Sequence, residues 1–503
     1  MISLQPASFE DFEREAARGN VVPVVRSVLA DLQTPVSAFL RVAKDARYAF
    51  LLESVEGGER VARYSFLGAN PEMIVRGRGA QTFIEHYTGE REIVNLRATK
   101  FLREYFRDQK LARRAGLAPL AGGAVGFITY EAARWFEPIL DKGDVEEARS
   151  DEAAWMLYRT VLAFDRVRQQ IEITSIVLTD EAKGDRQRLR ELYDAAVTET
   201  AQLEKILLES MPPVENDARV HEGFVASFES NWSRENFEAA VTSIKERIAA
   251  GDCYQVVLSQ RFKKRVKASP ISIYRALRAT NPSPYMYFLK FDREAIIGAS
   301  PEMLVRCRGQ RLDYRPIAGT RKRGATETED WMLGEELRAD EKEVAEHTML
   351  VDLGRNDLGR VADYGSVEID ELMTIERYSH VQHLVSSLRA RLRDTLDRFD
   401  ALASCFPAGT VTGAPKVRAM EIIRGLEPTP RGVYAGAVLY MDYADNLDSC
   451  IAIRTIVMRS DGYALMQAGA GIVADSVPSR EYEETINKAR ALVRAIEMAE
   501  KGL

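Results

Sequence analysis

GANPEMIVRGRG, Gly68 to Gly79, returns as GASPEMLVRCRG, Gly298 to Gly309, with nine of twelve positions identical. Each copy places a Gly-Ala-(Asn/Ser)-Pro turn before a run of β-branched and apolar residues, the pattern of two strands joined by a tight turn. A second pair follows in the same order: AGGAVGF, Ala121 to Phe127, and YAGAVLY, Tyr434 to Tyr440. Two matches in one order indicate internal duplication. They predict two related sheet-bearing halves packed on each other, of which only one need keep chemistry.

Outward from the first copy, β-branched and aromatic residues recur in ARYAFLLESV, AVGFITYEAARWF and RTVLAFDRVRQQIEITSIVL. Helical spacing then takes over from about Asp185 to Leu208. MPPVENDARVHEGFVASFESNWS, residues 211–233, breaks both periods and reads as a linker, which places a boundary near residue 220 and divides the chain into 1–220 and 221–503. Beyond it an amphipathic helix is predicted, capped by Ser233 and ending at Gly251. The length of 503 residues exceeds one ordinary core. A net charge of −7 argues against a general nucleic-acid binder, and no apolar run is long enough for a bilayer. Four scattered cysteines fit neither a disulfide framework nor a CxxC metal site, and the acidic first twenty residues resemble no signal or transit peptide. A reducing cytoplasm is the expected location.

Chemistry concentrates in the second half. In RADEKEVAEHTMLVDLGRNDLGRV, Glu343 and Glu346 share one helix face, and Glu481 and Glu484 repeat that spacing near the C-terminus. Two such pairs suit a hard divalent cation such as Mg2+, although glutamates three apart usually only decorate a solvated face. AGAGIV, Ala468 to Val473, and TVTGAPKVRAMEII, from Thr410, offer backbone N–H groups to an anion. Arg454 sits among apolar neighbours in CIAIRTIVM and needs a charged partner if buried. Of two close histidines, His380 reads as structural and His383 as a candidate. PIAGTRKRG, Pro316 to Gly324, sets the single methyl group of Ala318 beside Gly319 and Thr320, just where the chain becomes cationic.

Taken together, PIAGTRKRG, AEHTMLVDLGRNDLGRV, SHVQHLVSSL, GTVTGAPKVRAMEII, IAIRT and QAGAGIVADSVPSREYEETINKAR resemble the chorismate-utilising enzymes, most closely the large subunit of anthranilate synthase. LLES, Leu51 to Ser54, and RYSFLG, Arg63 to Gly68, extend the resemblance into the first third. The resemblance implies an α+β fold, a large two-sheet β-sandwich with helices packed outside. It implies Mg2+ held by Glu343, Glu346, Glu481 and Glu484. Relatives that add water carry a lysine where this chain has Gln255, and relatives that form a covalent amine carry one where it has Ala318. With both absent, free ammonia is the implied nucleophile, giving anthranilate and pyruvate from chorismate in tryptophan biosynthesis.

By the same resemblance Tyr434 and Arg454 hold the enolpyruvyl side of the substrate. Gly469 and Gly471 meet its ring carboxylate, Ala470 and Lys488 join the substrate-binding set, and Ala318, Gly319 and Thr320 line the pocket. Glu302 would protonate the leaving hydroxyl, which requires a raised pKa, while His383 and Thr410 would assist loss of pyruvate. Glu72 occupies the matching place in the first repeat. Ammonia would come from a separate glutamine amidotransferase subunit in a hetero-oligomer. Residues 1–220 would sense tryptophan as feedback inhibitor, through Glu53, Ser54, Pro284, Tyr285 and Met286. Aminodeoxychorismate synthase component I and a non-catalytic tryptophan-binding regulator are the alternatives.

Overall fold

The structure is a computed structural model that describes residues 3–55, 63–112, 114–141, 150–212, 228–378 and 381–502. The boundary placed near residue 220 and His380 lie outside the described residues. Two large antiparallel sheets, of thirteen and twelve described strands, face each other. Each is palindromic. From one edge of the first sheet run Ser3–Gln5, Val21–Leu29, Gln170–Leu178, Thr160–Asp165, Tyr64–Ala69 and Tyr48–Glu53. From the other edge run Glu229–Ser230, Gln255–Arg265, Tyr463–Ile472, Thr455–Met458, Glu294–Ser300 and Tyr285–Phe291, and the two series meet where Tyr48–Glu53 pairs with Tyr285–Phe291. The second sheet does the same about the pairing of Gly123–Ile128 with Ala437–Asp442. Both halves therefore contribute to both sheets, joined by continuous hydrogen-bond ladders.

The repeated glycines have one physical reason. Gly68 lies opposite Phe50, and Gly298 opposite Tyr287, in the equivalent hairpins. A Cβ would come to 2.6 Å from the Phe50 ring at Gly68 and to 2.1 Å from the Tyr287 ring at Gly298. Each glycine thus lets a large aromatic ring lie flat across its strand. Phe50, Phe66, Phe127, Tyr158, Tyr287 and Tyr440 belong to the core between the sheets.

Helices cover the outer faces. Helix Pro478–Glu500 packs on strand Tyr463–Ile472 and helix Pro270–Thr280. Ser233 caps helix Arg234–Ala249 by accepting from the Asn236 N–H, as its sequence predicts. The segment read as one helix through Glu343 is interrupted: Asp340 ends helix Glu327–Ala339 and caps helix Glu341–Gly359 by accepting from Lys342 and Glu343 N–H groups. An aspartate competes for such backbone donors better than it continues a helix. The cap fixes the first turn that carries Glu343 and Glu346. All four cysteines are free and buried, and no helix among the described residues is long and apolar enough to cross a membrane.

Candidate functional site

The site lies in the C-terminal half, where strand Tyr463–Ile472 outruns its neighbour. Strand Thr455–Met458 covers that flank only at Ala464 to Met466. On the other flank Gly469 and Gly471 stand opposite Ser259 and Val257. Those two residues direct their own backbone groups elsewhere: Ser259 to Glu427 and Trp232, Val257 to Thr412 and Arg431. The pairs are the non-hydrogen-bonded kind, so the N–H groups of Gly469 and Gly471 face the open flank. A Cβ on Gly469 would lie 2.7 Å from the Tyr434 hydroxyl, and one on Gly471 would lie 2.5 Å from the Gln255 amide. Only glycine keeps these donors reachable. In AGAGIV the strand runs past its partner, with Ala470 buried between the two glycines.

Around that strand end the other predicted residues converge. Lys488 donates to the Gly469 carbonyl at 2.9 Å and pairs with Glu484 at 2.7 Å. Tyr434 is buried, with its phenol pushed up to about 12, burial being the main cause. Arg454, in the left-handed backbone region at φ 51°, feels Tyr434. Burial lowers its pKa, and no carboxylate among the described residues pairs with its guanidinium. A desolvated cation without a counter-ion is costly, and an anionic ligand offsets that cost.

Glu302 occupies the turn between strands Glu294–Ser300 and Met303–Arg308. It is 6% exposed, forms no ion pair among the described residues, and burial pushes its pKa up to about 8. Thr410 is near enough to favour the charged form slightly, yet its hydroxyl has no partner in hydrogen-bond geometry. The contact is close rather than formed, and the carboxyl stays protonated near neutrality. Glu72, its counterpart, is instead held by Arg159 at 2.8 Å, and Arg159 also pairs with Glu181. Arg159-Thr160 in the first half corresponds in topology to Arg454-Thr455 in the second. The same acid and arginine are locked together in one half and left apart in the other.

His383 donates from Nδ1 to the Gly319 carbonyl at 2.8 Å, with the Thr320 hydroxyl at 3.2 Å. A carbonyl only accepts, so Nδ1 carries the proton and Nε2 is left to exchange one. Burial lowers the His383 pKa, Arg454 adds to that, and Glu376 opposes it. Gly319 adopts φ +63°, and a Cβ there would meet Leu337 at 2.7 Å and the Glu343 carboxylate at 3.0 Å. Ala318, buried and opposite Leu384, presents a methyl group only.

Glu346 of helix Glu341–Gly359 lies near Glu484 of helix Pro478–Glu500, and each has a second glutamate, Glu343 and Glu481, one turn away on its own helix. Glu346 is raised by burial, then by Glu343 and Glu484; Glu481 is raised by burial and then by Glu484. Arg321 and Lys488 already hold Glu343, at 3.4 Å, and Glu484. Among the described residues no three acidic, His or Cys side chains stand close enough to grip an ion. Oxygen donors alone, crowded until their charges oppose each other, nevertheless fit a hard cation.

The expected inhibitor residues lie apart from this site. Glu53, Ser54, Pro284, Tyr285 and Met286 line a cavity of about 1260 Å³ between the sheets. Glu53 accepts from Tyr274 at 2.5 Å and Arg278 at 2.9 Å, with Arg166 at 3.7 Å. It is thus already neutralised, which the sequence did not suggest, because Tyr274 and Arg278 come from a helix more than two hundred residues away. The buried Ser54 hydroxyl is without a partner. Arg321 against Glu343 and Tyr378 against His383 were likewise missed; the run RKRG was the only local signal for the former.

The chain matches the family model of chorismate binding enzymes over residues 18–494. It is 45% identical to anthranilate synthase component 1 of Acetivibrio thermocellus over 483 residues, 95% of this chain and 96% of that one. The component 1 of Aquifex aeolicus is 44% identical over 98% of each chain. The crystal structure of anthranilate synthase component I from Streptococcus pneumoniae superposes with a TM-score of 0.74 at 34% identity, covering 92% of this chain and 98% of that one. The menaquinone-specific isochorismate synthase of Escherichia coli, 19% identical with a TM-score of 0.66 over 98% and 99%, shares the fold.

Proposed function

The chain belongs to the chorismate-binding enzymes, and from that premise we propose that it converts chorismate and ammonia to anthranilate and pyruvate, as an anthranilate synthase large subunit. The observation that carries the choice within the family is the pocket's side-chain set. A neutral Glu302 and an unpaired Arg454 share a site whose two lysine positions hold Gln255 and Ala318.

Arg454 and Tyr434 bind the enolpyruvyl carboxylate, and the Gly469 and Gly471 N–H groups meet the ring carboxylate. Glu343, Glu346, Glu481 and Glu484 would hold Mg2+, which when bound supplies positive charge beside that carboxylate. Ammonia adds to the ring while Glu302 gives its proton to the departing hydroxyl, a transfer its raised pKa suits. His383, neutral and with Nε2 free, takes the ring proton as pyruvate leaves, with Thr410 beside it. Gln255 has no proton-accepting nitrogen, so water is not activated there.

Tryptophan is the proposed inhibitor, seated in the inter-sheet cavity with its indole on Pro284, Tyr285 and Met286 and a polar atom on Ser54. The ammonia donor is proposed to be a separate glutamine amidotransferase subunit, in line with the component 1 naming of the relatives. The purified chain with chorismate and Mg2+ should form anthranilate from ammonium salts but not from glutamine. A different product from ammonium would overturn the reaction, and glutamine use by the chain alone would overturn the partner.

A further inference from the structure

The cavity between the sheets that is lined by Glu53 and Ser54 is lined also by Arg315 and Glu376. Arg315 donates to Glu376 Oε1. The second oxygen, Oε2, accepts from the Tyr378 hydroxyl at 2.8 Å. The Tyr378 ring then meets the His383 imidazole edge-on, centroids 5.6 Å apart. Glu376 also lies directly opposite His383 where strands Glu368–Arg377 and Val381–Arg391 pair. A bulge separates this end of the ladder from the rest, and Met373 beside it is left-handed at φ 53°. Past the bulge Thr374 to Arg377 pair in register with Val385 to Gln382, which holds Glu376 and His383 abreast.

From this geometry we infer that Glu376 is a positioning residue for His383, acting through Tyr378, and that Arg315 ties it to the wall of the inter-sheet cavity. One carboxylate is shared between a cation facing the cavity and a phenol that packs on the catalytic imidazole. A ligand carboxylate in the cavity that draws Arg315 away leaves Glu376 free to turn, and Tyr378 turns with it. The inference rests on the reading of His383 as the proton-transferring group and of the cavity as an amino-acid site. It gives the cavity a route to the chemistry that does not require the two sheets to move.

Removal of a partner that orients a functional imidazole costs activity without touching substrate binding. Glu376→Gln keeps the size and loses the charge. The charged groups described around His383 are Glu376 from the paired strand and Arg454 from the loop before Thr455–Met458. Its neutral neighbours are Tyr378, Thr320 and the Gly319 carbonyl. With Glu376 neutral, burial and Arg454 still lower the imidazole pKa while the Gly319 hydrogen bond alone raises it, so the pKa falls.

Three variants of the full chain, Glu376→Gln, Tyr378→Phe and Arg315→Gln, are compared with the parent using chorismate, ammonium and Mg2+, with melting temperature as a folding control. Glu376→Gln is expected to lower kcat on the order of tenfold with KM for chorismate within about twofold, and to move the acid limb of the kcat profile to lower pH. Tyr378→Phe should lower kcat without moving that limb. Arg315→Gln, which frees Glu376 as the ligand would, should lower kcat toward the Glu376→Gln value and weaken the remaining tryptophan inhibition on the order of tenfold. Unchanged kcat and limb in Glu376→Gln would overturn the positioning role. Loss confined to KM, or full inhibition in Arg315→Gln, would overturn the coupling. A parent that makes no anthranilate would instead refute the reaction itself. If Glu376→Gln does not fold, Tyr378→Phe with unchanged kcat refutes the route on its own.

Discussion

Glu302 offers a prediction that can be worked from the structure. Its carboxyl is buried with no ion pair among the described residues, and burial takes the pKa from 4.5 to about 8. Such a group is roughly nine-tenths protonated at pH 7, ready to give its proton to a leaving hydroxyl. Glu302→Gln keeps the shape and removes the proton. General acid catalysis contributes about a thousandfold, near 4 kcal/mol of barrier, so turnover should fall by that order. Glu72→Gln, in the repeat copy already paired with Arg159, should leave turnover unchanged. Stability gives a second reading. A folded-state pKa raised above the unfolded one contributes stability fully present below pH 4.5, lost as pH rises through about 8. The loss corresponds to about 5 kcal/mol above that range. The parent should therefore lose melting temperature between pH 5 and 9 more steeply than Glu302→Gln. Anthranilate fluorescence at fixed free ammonia and thermal melts across this range measure both. Parallel melting curves, or equal losses of turnover in the two Gln variants, would refute the reasoning.

Other outcomes follow from the same geometry. Arg454→Met should raise KM for chorismate on the order of tenfold to a hundredfold, as loss of a charge-assisted bond costs about 2 kcal/mol. Its melting temperature should not drop, because an unpaired cation is removed; a marked drop would mean a partner has been overlooked. Removal of Mg2+ by a chelator should abolish turnover, and isothermal titration at pH 6 in two buffers should detect proton release on metal binding from Glu346 and Glu481, whose pKa values are raised. Gly298→Ala should destabilise by about 3 kcal/mol in urea unfolding, since its Cβ would strike a Tyr287 ring whose hydroxyl is fixed to Thr455 at 2.6 Å.

Sequence carried the duplication a long way. GANPEM and GASPEM announced equivalent hairpins because their glycines must clear an aromatic ring on the next strand, and that demand is local. AGAGIV was legible for the same reason, although not that its donors are freed by a neighbouring strand that stops at Thr455. The roles proposed for Glu302, His383, Ala318 and the four glutamates rest on the family resemblance, since spacing alone favours a solvated face for such pairs. Contacts set by tertiary packing were invisible. Glu53 has no nearby cation in sequence, yet Arg278 and Arg166 neutralise it. Arg315, Glu376 and Tyr378 carry no motif, and their relation to His383 depends on a strand register broken by a bulge. The interruption of the long helix at Asp340 was readable in principle, because aspartate two and three residues before Lys342 and Glu343 is a cap signal.

The proposed nucleophile is free ammonia, with no lysine at position 255 or 318 to oppose it at the ring. The direct measurement is turnover of chorismate with nitrogen-15 ammonium and Mg2+, followed by mass analysis of both product and protein. The expected result is anthranilate fully labelled at its amino group and a chain of unchanged mass. Unlabelled product, a hydroxylated or 4-amino product, or a substrate-sized adduct on a lysine of the chain would contradict it.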